Sequence, residues 1–494
     1  MKHPVYWFLI SSGLIASTSL SFAQADNKPL SSGDSFNGNT SGNNTFTPKE
    51  TSNADGTTYT CEGDVCIANA NTTNKSCFTD TAGNLSFLGN GFTLCFENID
   101  AGASNPGAIN VGNSDKSLSI IGFSLFTCSS CPPKITGMGA IKSSGSTTFN
   151  NDINILLKKN CSKEDGGAVN CKGFILTGTL GNADFTENKS EKNGGAINTT
   201  TTSMISNNNR VVFSKNSTVG ASNSSGGAIY CKETTGSTAA ELKLEGNQQL
   251  IFSENSSSTS GGAIYANKLT ITSGGTTIFA NNFVSAASNP QGGAICLSAS
   301  GECSLTANLG DIIFDGNTLI TTPSGSNSTT KRNAIDLNTT GKFVKLNARE
   351  GFGIYFYDPI ANNGDSTTTL SINKPESSTN YHGRIVFSGE TLSTEEKAIT
   401  ENLTSTFKQP VTLSAGALIL REGAILEAKS FEQTASSTVI MDVGTTLQTP
   451  TSSGEAITLP NLGINVASLG GGLLLLRLLK SNLKHRVRMS QLQL

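Results

Sequence analysis

The sequence is short of most of what binding and catalysis usually draw on. Only 14% of its 494 residues are charged, and the formal net charge is −3. Nucleic acid calls for a basic surface, so no nucleic-acid partner is expected. Histidine is scarcer still: His3, His382 and His485 are the full set. A Ser–His or Cys–His site would have to be built on one of them. Acidic residues such as Asp358, Asp365, Glu395 and Glu396 are scattered, whereas glycoside-cleaving sites need paired carboxylates, so they read as solvated surface. The chain is therefore expected not to be an enzyme, with no catalytic, cofactor-binding or metal-binding residue. A β-helical carbohydrate-active enzyme is the weaker alternative, since fold alone does not exclude it. Tryptophan occurs once, as Trp7, and hydrophobic residues reach only 36%, low for a compact globule.

What is present is arranged by position. Lys2 and His3 precede an apolar run from Val5 to Ala16, and Ser21-Phe22-Ala23 places small residues before Gln24. This order predicts a signal peptide, residues 1–23, cleaved after Ala23. The run is too short and too interrupted for the roughly 20 apolar residues of a spanning helix. A low-complexity segment, 24–59, follows.

Glycine is abundant, at 52 residues, and one tetrapeptide recurs. It reads Gly194-Gly195-Ala196-Ile197, Gly226-Gly227-Ala228-Ile229, Gly261-Gly262-Ala263-Ile264 and Gly292-Gly293-Ala294-Ile295, with a near copy at Gly166-Gly167-Ala168-Val169. Decayed copies are Pro106-Gly107-Ala108-Ile109, Met138-Gly139-Ala140-Ile141 and Asn333-Ala334-Ile335. A second pattern, Phe-x-x-Asn, alternates with it at Phe87/Asn90, Phe185/Asn188, Phe213/Asn216, Phe252/Asn255, Phe279/Asn282 and Phe314/Asn317. Repeats of this kind predict a solenoid, here an all-β, right-handed parallel β-helix. From Gly166 to Phe185 and from Gly194 to Phe213 is 19 residues, which reads as close to one rung. Phe is expected to stack in a narrow core. Asn, which tolerates left-handed backbone, is expected to bond its own turn. Gly-Gly permits positive φ or close approach of coils. The polar stretch between Phe-x-x-Asn and the next Gly-Gly varies in length and reads as an exposed loop. Both motifs are expected to build rungs, leaving binding to the loops. The rival reading makes the motifs themselves a recognition edge.

Eleven cysteines lie in the first two thirds: Cys61, Cys66, Cys77, Cys95, Cys128, Cys131, Cys161, Cys171, Cys231, Cys296 and Cys303. Cys128 and Cys131 form a C-x-x-C without the companions of a redox or zinc motif. They read as a local disulfide or as partly buried thiols. The odd count leaves a cysteine for a bond to another chain, so disulfide cross-linking to cysteine-rich envelope proteins is a secondary expectation.

The alternating GGA(I/L/V) and FxxN tetrapeptides after a signal peptide resemble the chlamydial polymorphic outer membrane protein family, over roughly residues 60–470. Residues 60–345 look like its repeat passenger. Residues 346–470 look like its middle domain, through 381–390, 413–424, 431–433 and 444–447. The resemblance implies an autotransporter passenger secreted to the outer membrane and cell surface. There it is an adhesin and virulence factor binding a host-cell receptor that the sequence does not identify. One departure stands out. Family members end in a membrane β-barrel, which takes about eight strands of roughly ten residues. Only 34 residues follow Pro460 here, and none is aromatic. No barrel is therefore expected. Residues 471–494 form an atypical basic tail, read as a frameshift product or as an amphipathic helix on anionic lipid. Without a barrel, periplasmic retention, a disulfide-linked structural role or a non-functional product are the alternatives to display.

Overall fold

A computed structural model describes residues 38–39, 45–46, 49–53, most of 56–465, 473–476 and 486–492. Within 56–465 it leaves out 62, 69–75, 81–82, 98, 100–106, 113–114, 130–136, 221–223, 234–238, 324–326, 363, 365–366, 377–378 and 451–456. The expected signal segment with Ala23, and Pro106, Cys131, Asp365 and His485, lie outside the described residues.

The described chain is a parallel β-helix with three lateral sheets of 24, 14 and seven strands. One turn shows how the sequence produces it. Ile197–Thr199 and Ser203–Ser206 lie in the first sheet, Arg210–Ser214 in the second and Ser217–Thr218 in the third. The next turn begins at Ile229, in register with Ile197. Strands this short send only alternate side chains inward. Ile141–Asn150 shows the alternation without a break, with Ile141 and Phe149 fully buried. A thin column of such residues needs few apolar side chains per turn, which accounts for the modest hydrophobic content.

The rung is longer than the 19-residue expectation. Successive ladder asparagines on adjacent turns are 28, 28, 39, 27 and 35 residues apart. The two motifs sit in different sheets of the same turn. The interval from Gly-Gly to Phe is therefore only part of a circuit.

The same parallel ladders run on through Gly353–Phe356, Arg384–Ser388, Gly416–Arg421, Ser437–Met441 and Leu462–Ile464. Antiparallel strands cover both edges of the first sheet. Lys49–Asn53 folds onto Gly56–Thr60, and Arg486–Leu492 pairs with Leu473–Leu476 and Thr446–Gln448. Covering an open edge in this way blocks further strand addition. The tail segments that the structure describes are thus strands rather than the amphipathic helix of one reading, because they find an edge to pair with. Among the described residues no helix is long and apolar enough to cross a membrane, a statement about helices alone.

Candidate functional site

The two glycines of the repeat are required for different reasons. Gly194 has φ +64°, and a Cβ there would also lie 2.2 Å from the Ile197 carbonyl oxygen. At Gly195 a Cβ would lie 2.0 Å from the Gly227 oxygen on the next turn. The first glycine thus makes the bend, and the second lets two turns approach backbone to backbone. Ala196 and Ile197 then point into the core, 0% and 1% exposed. Ile109, Ile141, Val169, Ile197, Ile229, Ile264, Ile295, Ile335 and Ile360 form one in-register file along the first sheet. The decayed copies therefore occupy the same station as the intact ones.

Phe185, Phe213, Phe252, Phe279 and Phe314 stack in the core with Phe356 and Phe387, at centroid separations of 4.6–5.1 Å and interplanar angles of 2–13°. The asparagines beside them form a buried ladder. Asn188 Nδ2 donates to Asn216 Oδ1, Asn216 to Asn255, Asn255 to Asn282 and Asn282 to Asn317, each at 2.9 Å. The second Nδ2 proton goes to a core carbonyl one turn back, as from Asn216 to Phe185 O and from Asn255 to Phe213 O. Asparagine is thus chosen for bonding its neighbours above and below, not its own turn. The left-handed residue is the one before it, at Glu187, Lys215, Glu254 and Asn281, each with φ near +55°. Gly316 holds that place at φ +80°.

Phe87/Asn90 does not belong to this series. Phe87 lies in the first sheet opposite Ile120 and Tyr59, and Asn90 is itself left-handed at φ +50°. The place in its turn that corresponds to Phe185 is held by Phe96, reached through Leu157 and Cys128. Sequence reading also missed Asn160, which extends the ladder to Asn188 at 2.9 Å. Its motif begins with Leu157 instead of Phe, which concealed it.

Asp358 ends the ladder. Its carboxylate accepts from the Asn317 amide and Nδ2, both at 2.8 Å, from Gly316 N and from Arg332 at 2.9 Å. Glu396 meets the same guanidinium at 2.7 Å. Burial pushes the Asp358 carboxyl up to about 6, with Arg332 pulling the other way. Asp358 and Glu396 therefore belong to a joint around Arg332, not to the solvated surface expected for them. Glu395 and His382 are exposed.

The polar stretch after each asparagine is only partly loop. Its first residues form the third sheet, with Ser190, Thr218 and Ser257 buried. They still satisfy the ladder geometry, so length varies beyond them. One aromatic feature of the outer wall lies beside the repeat motif. Tyr230 and Tyr265, on adjacent turns just after the Gly-Gly-Ala-Ile motif, stack at 5.2 Å and 7°. Lys232 Nζ lies 5.6 Å from the Tyr265 ring centroid. Both rings are half-buried. A shallow recess of about 370 Å³ at another corner is lined by Leu180, Asn207, Asn209, Gly246 and Gln248. It offers amides rather than titratable groups.

The cysteines divide by face. Cys61, Cys77, Cys171, Cys231, Cys296 and Cys303 are buried. Burial pushes the Cys171 thiol up to about 12, as for an inert structural thiol. Cys128 is also buried, on the inward file beside Phe96 and Leu157. Cys161 is disulfide-bonded. Cys66 and Cys95 are half-buried register partners on the outer wall, and a hydrogen bond to Cys66 raises the Cys95 thiol.

Comparison with known proteins agrees with this arrangement. Residues 182–200, 210–232 and 249–267 match the Chlamydia polymorphic membrane protein repeat, and 416–472 match that family's middle domain. The probable outer membrane protein pmp10 of Chlamydia pneumoniae is 43% identical over 96% of this chain and 54% of its own length. The probable outer membrane protein pmp8 of the same organism is 40% identical over 95% and 54%. The probable outer membrane protein pmp12, also from Chlamydia pneumoniae, is 33% identical over 85% of this chain and 69% of its own. The chain spans about half the length of the first two relatives. No solved structure matches it. The chain belongs to the Chlamydia polymorphic membrane protein family.

Proposed function

We propose that this chain is an outer-membrane passenger whose outer wall attaches the bacterium to host cells. The supporting observation is how the motif residues are used. Phenylalanine, asparagine, glycine and isoleucine of both repeats are spent inside the solenoid, so recognition falls to the wall and its loops. The relatives' description as probable outer membrane proteins supports the location. The Tyr230–Tyr265 stack with Lys232 is the contact patch we favour. Rigid, half-exposed aromatics beside a cation suit a binding surface.

Two experiments test this reading. Fluorescent purified chain is applied to host-cell monolayers beside a Y230A/Y265A/K232A variant of equal thermal stability. Saturable binding by the first and at least a tenfold weaker signal from the second is expected, as for loss of about 1.4 kcal/mol or more. Absence of saturable binding by the parent chain rejects the adhesin reading. Protease shaving of intact particles tests display, and complete protection rejects it.

A further inference from the structure

We infer that Cys66, Cys95 and Glu97 form a binding site for a thiophilic divalent cation of the zinc class, on the outer wall near the first turns. The inference is independent of the proposed function.

Three observations converge on it. Cys66 and Cys95 are register partners on neighbouring parallel strands, Val65–Ala68 and Thr93–Glu97. Glu97 follows Cys95 by two positions, so alternation puts it on the same outward face. The two sulfurs and a carboxylate oxygen all lie within 4.8 Å of one another. Both thiols are half-buried and Glu97 is exposed, so the group is reachable from solvent.

The chemistry selects the ligand. Two sulfurs and one carboxylate match zinc, bound at about 2.3 Å by sulfur and about 2.0–2.2 Å by oxygen, whereas calcium and magnesium take oxygen ligands. Three protein ligands leave a fourth position open to water. The strands already hold the three ligand atoms within 4.8 Å of one another. An inter-rung disulfide fits less well. Side chains of in-register parallel neighbours leave their strands side by side, about 4.8 Å apart. A disulfide needs Cβ atoms roughly 3.5–4.5 Å apart, so the turns would have to be drawn together. A disulfide would also leave Glu97 without a role.

The test uses the full chain, reduced and stripped of metal, titrated with Zn²⁺ and separately with Co²⁺. We expect one equivalent of tight binding, with thiolate-to-cobalt charge-transfer absorption and tetrahedral d–d bands. C66S and C95S are each expected to lower the charge-transfer band by at least about half, since each leaves one thiolate. E97Q, an exposed change that leaves the fold alone, is expected to weaken binding by at least the roughly 10–100-fold typical of outer-sphere substitutions. β-Sheet circular dichroism confirms that each variant is folded. Should a serine variant fail to fold, E97Q still decides the matter. No charge-transfer band, an undiminished band in folded C66S, or E97Q binding as tightly as the parent overturns the inference. So does peptide mapping that finds Cys66 linked to Cys95 in chain isolated without reductant.

Discussion

Asn216 donates one Nδ2 proton to Asn255 Oδ1 on the following turn at 2.9 Å and the other to Phe185 O on the preceding turn at 2.8 Å. Its backbone amide reaches the same Asn255 oxygen at 3.0 Å. One side chain thereby ties three turns together, fully buried and fully satisfied. An unsatisfied buried polar group costs more than a made bond gains.

Removing one member should therefore be severe. N255A leaves the Asn216 amide and Nδ2 without their acceptor and Phe213 O without its donor. A loss of about 3 kcal/mol or more is expected, on the scale of several orphaned groups. N255D keeps an acceptor and the backbone N–H bond to Asn282 Oδ1, but its side chain cannot donate to that oxygen or to Phe213 O, so it should also destabilise. Urea unfolding of the purified variants checks both, and wild-type stability for either contradicts the role given to the ladder.

The second glycine of the repeat makes a sharper comparison. G195A drives a Cβ to 2.0 Å from the Gly227 oxygen, while a Cβ at Gly63 meets nothing within 4 Å. The expected cost is at least the roughly 1–3 kcal/mol of an overpacked site for G195A and near zero for G63A. Differential scanning of the two variants separates them. Equal melting temperatures would show that the turns are not held at backbone contact.

Much of this was legible in the sequence because solenoids repeat their constraints. Gly194-Gly195 and Phe185-x-x-Asn188 recur because each turn poses the same packing problem. The rung length was not legible, because the motifs mark two corners of one turn rather than successive turns. Nor was the ladder's reach. A residue such as Asn216 bonds partners 31 and 39 positions away, and a local reading of Asn as a turn residue does not look that far. The half-exposed Cys66–Cys95 pair escaped notice for the same reason: the two lie on different turns, and only the register brings them together.

Arg332 joins the ladder's last member to the segment that packs beside it. Its side chain is 9% exposed and meets Asp358 and Glu396. R332A would leave the buried Asp358 carboxylate without its cation, and breaking a buried pair from one side costs about 3–5 kcal/mol. R332M with D358N removes both charges, and asparagine at 358 continues the ladder chemistry. The double variant should recover most of the loss. A double variant as unstable as R332A would mean that the charges are not the source of the cost.

Asp152 gives the fold a pH dependence of unusual sign. Its Oδ1 accepts from Phe123 N at 2.8 Å, while Oδ2 is buried and has no hydrogen-bond partner. Burial pushes the carboxyl up from 3.8 to about 7, against hydrogen bonds that favour the charged form. The native state therefore keeps a proton that the unfolded chain has released between those two values. Stability should fall, not rise, as pH climbs through that window. The full shift corresponds to an upper bound of about 4 kcal/mol, at 1.36 kcal/mol for each unit. The corresponding station two turns on is Asn208, whose Oδ1 accepts from Thr179 N and whose Nδ2 reaches Leu176 O. D152N should therefore leave stability near pH 5 little changed, raise it at pH 8 and flatten the profile between. Melting curves of both proteins across that range test it. Parallel profiles would show that the carboxylate is solvated in the native state and that Asp152 does not carry the dependence.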